Sequence, residues 1–196
     1  VIASDGMVTD GETGAERIPM SKLYEITTNS ALAVTGIGLI EEFNNYIEEL
    51  VSSIRDMGLT SIDDIANQIK TTVDKRSWAE FKNDMTKSHL GLIVVGYSGL
   101  PKIYGILDNR QVEQLAYCTM GNWDDAVEYL VNNASKSYGD NKLKTANKIT
   151  TSMLGLAAKA NPEIIGRPFF IWNIFETRIK KLSSTDVHKL DRRYNG

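Results

Sequence analysis

The sequence predicts an α+β protein built of layered antiparallel sheets, and three observations carry that prediction. Runs of strands alternate with pairs of helices, whereas a doubly wound parallel sheet would alternate single elements. The hydrophobic period changes from two to a three-and-four step at Leu39 and returns to strand character at Leu90. The chain has 196 residues, 42% hydrophobic and 24% charged, which suits a sizeable core. Residues 1–196 are therefore expected to form one domain.

Val1-Ile-Ala-Ser4 is an apolar, strand-like run with no polar lead-in, so further residues and a further strand are expected upstream of Val1. The polar stretch Gly6–Pro19 reads as a loop. Lys22–Ile26 and Ala31–Ile37 then read as a β-hairpin closed by the four polar residues Thr27–Ser30. Ile40, Phe43, Ile47, Leu50, Val51, Ile54 and Met57 mark one stripe of a helix that Gly58 ends. Ser61 caps a second helix carrying Ile62, Ile65, Ile69 and Val73. The capping box Ser77-Trp-Ala-Glu80 implies a break near Lys75 and a restart before Phe81 and Met85.

Strands are expected at Leu90–Tyr97, Ile103–Leu107 and, more weakly, Val112–Thr119. Two helices follow. One is capped by Asn122 and buries Trp123, Ala126, Val127 and Leu130; the other starts after Gly139-Asp140 and buries Leu143, Ala146, Ile149, Met153, Leu154 and Ala157. Asn161-Pro162 stops the second. Phe169–Phe175 is β-rich, and Ser184–Arg193 suits a short last helix in a solvated tail.

Composition excludes several functions. With 22 Lys+Arg against 25 Asp+Glu the net charge is −3, which argues against a nucleic-acid partner or a membrane-surface reader. No apolar run approaches the roughly 20 residues of a membrane span. The one cysteine, Cys118, can neither close a disulfide within the chain nor build a metal site, which points to the cytoplasm. Ala33-Val-Thr-Gly36-Ile-Gly38 mimics a dinucleotide fingerprint, but Glu41 stands where Gly or Ala is needed and a hairpin precedes it. Only His89 and His188 offer imidazole chemistry, and neither stands beside a Ser or Cys in a nucleophile motif. No metal and no cofactor is expected. His188 reads as solvated, His89 as a strand-start residue and Cys118 as a small buried apolar residue.

Asp5 and Lys22 remain. Val1-Ile-Ala-Ser-Asp5-Gly-Met-Val-Thr9, with Ser21-Lys22-Leu-Tyr-Glu-Ile26 and Ala31-Leu-Ala-Val-Thr-Gly36, resembles the N-terminal block of proteasome β-type and HslV-type subunits, members of the N-terminal nucleophile (Ntn) hydrolases. Gly91-Leu-Ile-Val-Val-Gly-Tyr97 with Pro101-Lys-Ile-Tyr104 is similar to that family's central strand pair, and Thr119-Met-Gly121 to its short glycine motif before a helix. The resemblance implies a four-layer αββα sandwich in which an N-terminal Thr attacks a peptide carbonyl. It also implies a homo-oligomeric ring, a peptide or unfolded-protein substrate and an ATPase unfoldase as a partner.

The chemistry of such a site can be stated from the residues. A hydroxyl is a poor nucleophile until a base removes its proton; an ammonium held close lowers the pKa of that network, and a carboxylate fixes the ammonium. Lys22 supplies the ammonium and Asp5 the carboxylate. Thr9 and Gly36 match positions where the family's backbone pairs with an extended peptide. Taken alone, Asp5-Gly6 is an ordinary turn dipeptide and Lys22 an ordinary lysine at a strand start.

The chain departs from the family's pattern at several places. No Thr, Ser or Cys stands at position 1, so the nucleophile is expected upstream of Val1. Met7 replaces a basic residue, Met120 a Ser between glycines, and Asn161 an Asp. Two readings therefore stand: a threonine-type peptidase or amide hydrolase, and a structural or gating subunit of the same fold that cleaves nothing.

Overall fold

The computed structural model describes residues 1–9, 17–36, 40–75, 90–107, 110–114, 118, 120, 124–134 and 142–196. In chain order its elements are β1 (Ile2–Ser4), β2 (Met7–Thr9), β3 (Arg17–Pro19), β4 (Leu23–Thr27), β5 (Ser30–Gly36), α1 (Ile40–Asp56) and α2 (Ile62–Lys75). Then come β6 (Leu90–Ser98), β7 (Leu100–Leu107), β8 (Arg110–Gln114), α3 (Asp124–Ala134), α4 (Lys142–Ala160), β9 (Phe170–Ile174), β10 (Ile179–Lys181) and α5 (Ser184–Asn195).

The expected α+β class with antiparallel sheets is what forms. One sheet has five strands in the order β4-β5-β6-β7-β8; the other has three in the order β1-β9-β10. Every pairing among the described residues is antiparallel. The stretch read as a polar loop also holds a two-stranded ribbon, β2-β3, in which Met7 faces Pro19 and Thr9 faces Arg17. Its polar composition hid the alternation of so short a pair.

Three apolar clusters stack the layers. Ile47, Leu50, Val51 and Ile54 of α1 and Ile62, Ile65, Ile69 and Val73 of α2 pack on Leu32, Val34, Leu92, Val94 and Ile106 of the five-stranded sheet. On the opposite face of that sheet, Leu23, Ala31, Ala33 and Val95 meet Ile2 and Trp172 of the three-stranded sheet. Behind the smaller sheet, Phe169 and Ile171 pack against Leu154, Ala157 and Ala158 of α4, with Ala126 of α3 and Val187 of α5. Alternation within β5 explains the sorting: Leu32 and Val34 face the helices, Ala31 and Ala33 the second sheet.

Several local expectations change. The first hairpin turns on Thr28 and Asn29 alone, since Thr27 pairs with Ser30 and their hydroxyls are 2.6 Å apart. The β6-β7 hairpin turns on Gly99 at φ +72°, so β7 starts at Leu100 rather than Ile103. Met57, placed in the α1 stripe, is 50% exposed because the helix has ended at Asp56; Leu143 is exposed as well, at the open start of α4. The last helix is docked rather than free in solvent: Val187 and Asp191 are buried, and its first turn is capped by Ser183, whose Oγ accepts the Asp186 N–H. His188 on it is exposed.

The capping box Ser77-Trp-Ala-Glu80, Phe81, Met85, His89, Gly38, Thr119, Gly121, the Asn122 cap with Trp123, and Gly139-Asp140 lie outside the described residues. Among the described residues no helix is long and apolar enough to cross a membrane.

Candidate functional site

Asp5 follows β1 directly, where the chain leaves the smaller sheet and turns into β2. The turn is held by main-chain bonds on both sides: the Gly6 N–H donates to the Gly166 carbonyl at 3.1 Å, and the Gly6 carbonyl accepts from the Met20 N–H at 2.9 Å. Only glycine fits there. A methyl at Gly6 would run into the Pro168 carbonyl oxygen and lie 2.8 Å from the Phe170 ring. The same packing puts the Met7 side chain against Gly166, where a methyl would strike the Met7 terminal carbon.

Lys22 stands just before β4 and is anchored by its own carbonyl, which accepts the Val34 N–H at 3.0 Å. Its Nζ donates to Asp5 Oδ1 at 2.7 Å, while Asp5 Oδ2 accepts the Met7 N–H at 3.1 Å. The Asp5 side chain is 7% exposed and that of Lys22 25%. The carboxylate is thus desolvated and held from two directions, and the Lys22 side chain stays partly exposed.

The pair forms the polar end of a cleft of about 80 Å³ between the two sheets. Ala33, Val34 and Thr35 of β5 form one wall and Gly91 and Ile93 of β6 continue it. Ala3 and Ser4 of β1 and Met153 and Leu154 of α4 lie opposite. Cys118 and Met120 complete the lining, and Met120 rides over Gly91, where an added Cβ would lie 2.5 Å from its Sδ. Burial pushes the Cys118 thiol up to about 11, so at neutral pH it is a protonated, weak nucleophile. Cys118 is half-buried rather than fully buried. No group of three or more metal-ligating side chains occurs among the described residues.

Of the site residues expected from the sequence, Asp5 and Lys22 come together directly. Thr9 is placed as a main-chain position at the end of β2, opposite Arg17, and Gly36 as one at the end of β5, opposite Leu90. Asn161 has a main-chain role: its N–H donates to the Ala157 carbonyl at 3.0 Å and closes α4, and its carbonyl accepts the Ile164 and Ile165 N–H groups at 3.1 and 2.9 Å in the turn that follows. Sequence reasoning missed Ser4, Gly166 and Met153. Strand alternation next to Asp5 was a signal for Ser4; the other two reach the site only through tertiary packing.

No protein family model matches the sequence, and no curated protein matches it either. Solved structures do. "Anbu (ancestral beta-subunit) from Yersinia bercovieri" superposes with a TM-score of 0.70 at 14% identity, covering 98% of this chain and 87% of that one. "Anbu from Hyphomicrobium sp. strain MC1" gives a TM-score of 0.65 at 14% identity with the same coverages. The expectation of an HslV-type subunit is overturned, because these structural neighbours are Anbu proteins, a distinct group. The motifs behind that expectation, such as Val1–Thr9 and Ala31–Gly36, are short stretches of strand and turn in this chain, too short to assign a branch of a family. At this identity the likeness establishes the fold: the chain is built as the Anbu structures are.

Proposed function

We propose that this chain is a proteasome-like amide hydrolase of the Ntn type, a single αββα domain that cleaves peptides with a Thr-type nucleophile supplied by residues preceding Val1. The observation that carries this reading is the Lys22–Asp5 pair, 2.7 Å apart at the end of the inter-sheet cleft. A hydroxyl attacking a peptide carbonyl needs its proton taken by a base, and the free amine of an N-terminal residue can serve. Lys22 stabilises the charge that develops on the attacking oxygen, and Asp5 keeps the ammonium aimed into the cleft. Thr9 and Gly36, on β2 and β5, are the main-chain positions proposed to pair with an extended substrate.

The Yersinia bercovieri neighbour carries the word subunit in its description, which supports reading this chain as one member of a ring of like copies; the proposal places that ring in the cytoplasm. Light scattering of the protein with its native N-terminus tests this; a monomer mass rejects the ring.

The deciding experiment is hydrolysis of a fluorogenic peptide amide, after the mature N-terminal residue has been read by mass spectrometry. Lys22→Ala is expected to lower kcat by about 10²–10⁴-fold, measured at a temperature where the variant is folded, and also to lower the melting temperature, because the buried Asp5 carboxylate then keeps only the Met7 N–H. Full activity in that variant removes Lys22 from the mechanism. The rival, a non-cleaving subunit, is favoured by Met120, which puts a thioether into the cleft at the position where the family pattern has a serine. A mature N-terminus without Thr, Ser or Cys decides for the rival.

A further inference from the structure

The helix layer behind the smaller sheet differs from the α1–α2 layer in what it shows to solvent. Val131 of α3 is 49% exposed, and Leu143 and Leu156 of α4 are 40% and 36% exposed. In α1 and α2 no large apolar side chain is exposed among the described residues. Charge is the second difference. α3 carries Asp124, Asp125 and Glu128 with no basic residue, whereas α4 carries Lys142, Lys144, Lys148 and Lys159 with no acidic one.

The two helices lie side by side, so an acidic strip runs beside a basic one. Asp125, Glu128, Lys144, Lys148 and Lys159 are exposed, and among the described residues none of them forms an ion pair. Lys148 rests over the Tyr194 ring of α5 at 5.8 Å, which positions its ammonium without neutralising it. Lys142 and Lys144 stand in the first turn of α4, where the helix dipole favours a carboxylate and disfavours a cation. The chain itself puts no acidic residue there.

An acidic strip beside a basic strip is complementary to itself. A half-turn about an axis along the seam between α3 and α4, in the plane of contact, lays α3 of each copy on α4 of the other. Every attraction then occurs twice, and the exposed apolar side chains of both copies leave water together. Two helices of about 16 and 28 Å, each about 10 Å across, offer on the order of 500 Å² per copy, the low end for a specific dimer. Such a contact is reversible.

We propose that the α3–α4 face binds a second copy of this chain in a two-fold, charge-matched dimer, with Val131, Leu143 and Leu156 as its apolar part. The dimer does not rest on the amide-hydrolase reading, since it uses none of the cleft residues.

Sedimentation velocity at micromolar concentration tests it with wild type, Asp125→Lys with Glu128→Lys, Lys148→Glu with Lys159→Glu, and an equimolar mixture of these two double variants. Wild type is expected to show a species of doubled mass at low salt, with a Kd that rises about tenfold between roughly 0.05 and 0.5 M salt. Each double variant carries one sign of charge on both helices and is expected to lose the doubling while keeping a cooperative melt. The mixture restores opposite signs across the contact and is expected to regain it, which damage to the fold would not allow. Wild type without the doubling overturns the proposal. So does a doubling that both variants keep, or folded variants that stay apart when mixed. A ring whose mass neither variant changes leaves the ring standing and removes this dimer; a charge-swapped dimer that cleaves nothing keeps the dimer and rejects the hydrolase.

Discussion

Where α1 and α2 cover the five-stranded sheet, the buried core is Ile, Leu and Val with Ala66, and Ser30 of β5 is the buried polar residue there among the described residues. Around the three-stranded sheet and α4 and α5, the protein buries Ser4, Asp5, Asn147, Thr151, Ser152, Asn173 and Asp191. Among the described residues, the three buried polar atoms without partners are all on this second side. The two sides thus divide the work of the fold. One side supplies apolar burial and little else; the other accepts polar groups that reduce stability and gain fixed geometry. The candidate cleft lies between them, and its charged pair bridges the two, with Asp5 following β1 and Lys22 leading into β4.

The arrangement around Asp191 shows how the polar side is organised. Arg167 Nε and Nη2 donate to its two oxygens at 2.5 and 3.0 Å, and Asn195 Nδ2 donates to Oδ1 at 2.8 Å and to the Thr151 carbonyl at 2.9 Å. This ties α5 to α4 and to the segment after α4. It also explains the close approach at Gly155, where any side chain would strike Asn195.

The contrast can be broken most strongly on the apolar side. Leu92, at 0% exposure in the middle of the five-stranded sheet, has no route for collapse when truncated. Leu92→Ala is expected to destabilise by about 2–5 kcal/mol in urea unfolding. A loss well under 1 kcal/mol would show that the apolar side is loosely packed. Next in size is Asp191→Ala, which strips Arg167 and Asn195 of a shared acceptor; about 1–3 kcal/mol is expected in the same measurement.

The pH dependence of that network follows from its carboxyl. Burial pushes Asp191 up, but the hydrogen bonds from Arg167 and Asn195, helped by the charges of Arg167 and His188, outweigh it and hold the group below the usual carboxylate range. A depressed folded-state pKa adds stability above the unfolded value, near 3.9, and that stability is lost as pH falls through the folded value. The melting-temperature gap between wild type and Asp191→Asn is therefore expected to be open at neutral pH and to close under acid. A gap that does not change with pH would contradict the assignment.

The smallest expected effect sharpens the contrast. Asn173 is 2% exposed with its Oδ1 unpartnered, so Asn173→Leu exchanges an uncompensated amide for an apolar side chain of similar size. Stability is expected to stay within about 1 kcal/mol of wild type, on the stabilising side. A loss as large as that of Leu92→Ala would mean the amide is satisfied in solution, and the two sides would then be alike.

Much of this was written in the sequence, because the signals involved are local. The three-and-four spacing of Ile47, Leu50, Val51 and Ile54, and of Ile62, Ile65, Ile69 and Val73, marks helix faces that are buried as expected. Gly58 at φ +64° ends the first helix for the reason its identity suggests. Period-two alternation located β4, and short apolar or aromatic runs located β5, β6 and β9. The α+β class followed from counting those elements in order.

Only tertiary structure could decide what depends on residues far apart meeting in space. Nothing local in Asp5 or Lys22 distinguishes a turn aspartate and a strand-start lysine from an ion pair 17 positions apart across two sheets. The β2-β3 ribbon escaped notice because three-residue strands carry too few side chains to show a period. The docking of α5 escaped it too, since a helix rich in Lys and Arg looks solvated until Arg167, which lies 24 residues before Asp191, is seen to pair with it. Periodicity reports which way a side chain points along its own element. Which partner it meets there is set by packing between elements, and that information is spread over the whole chain.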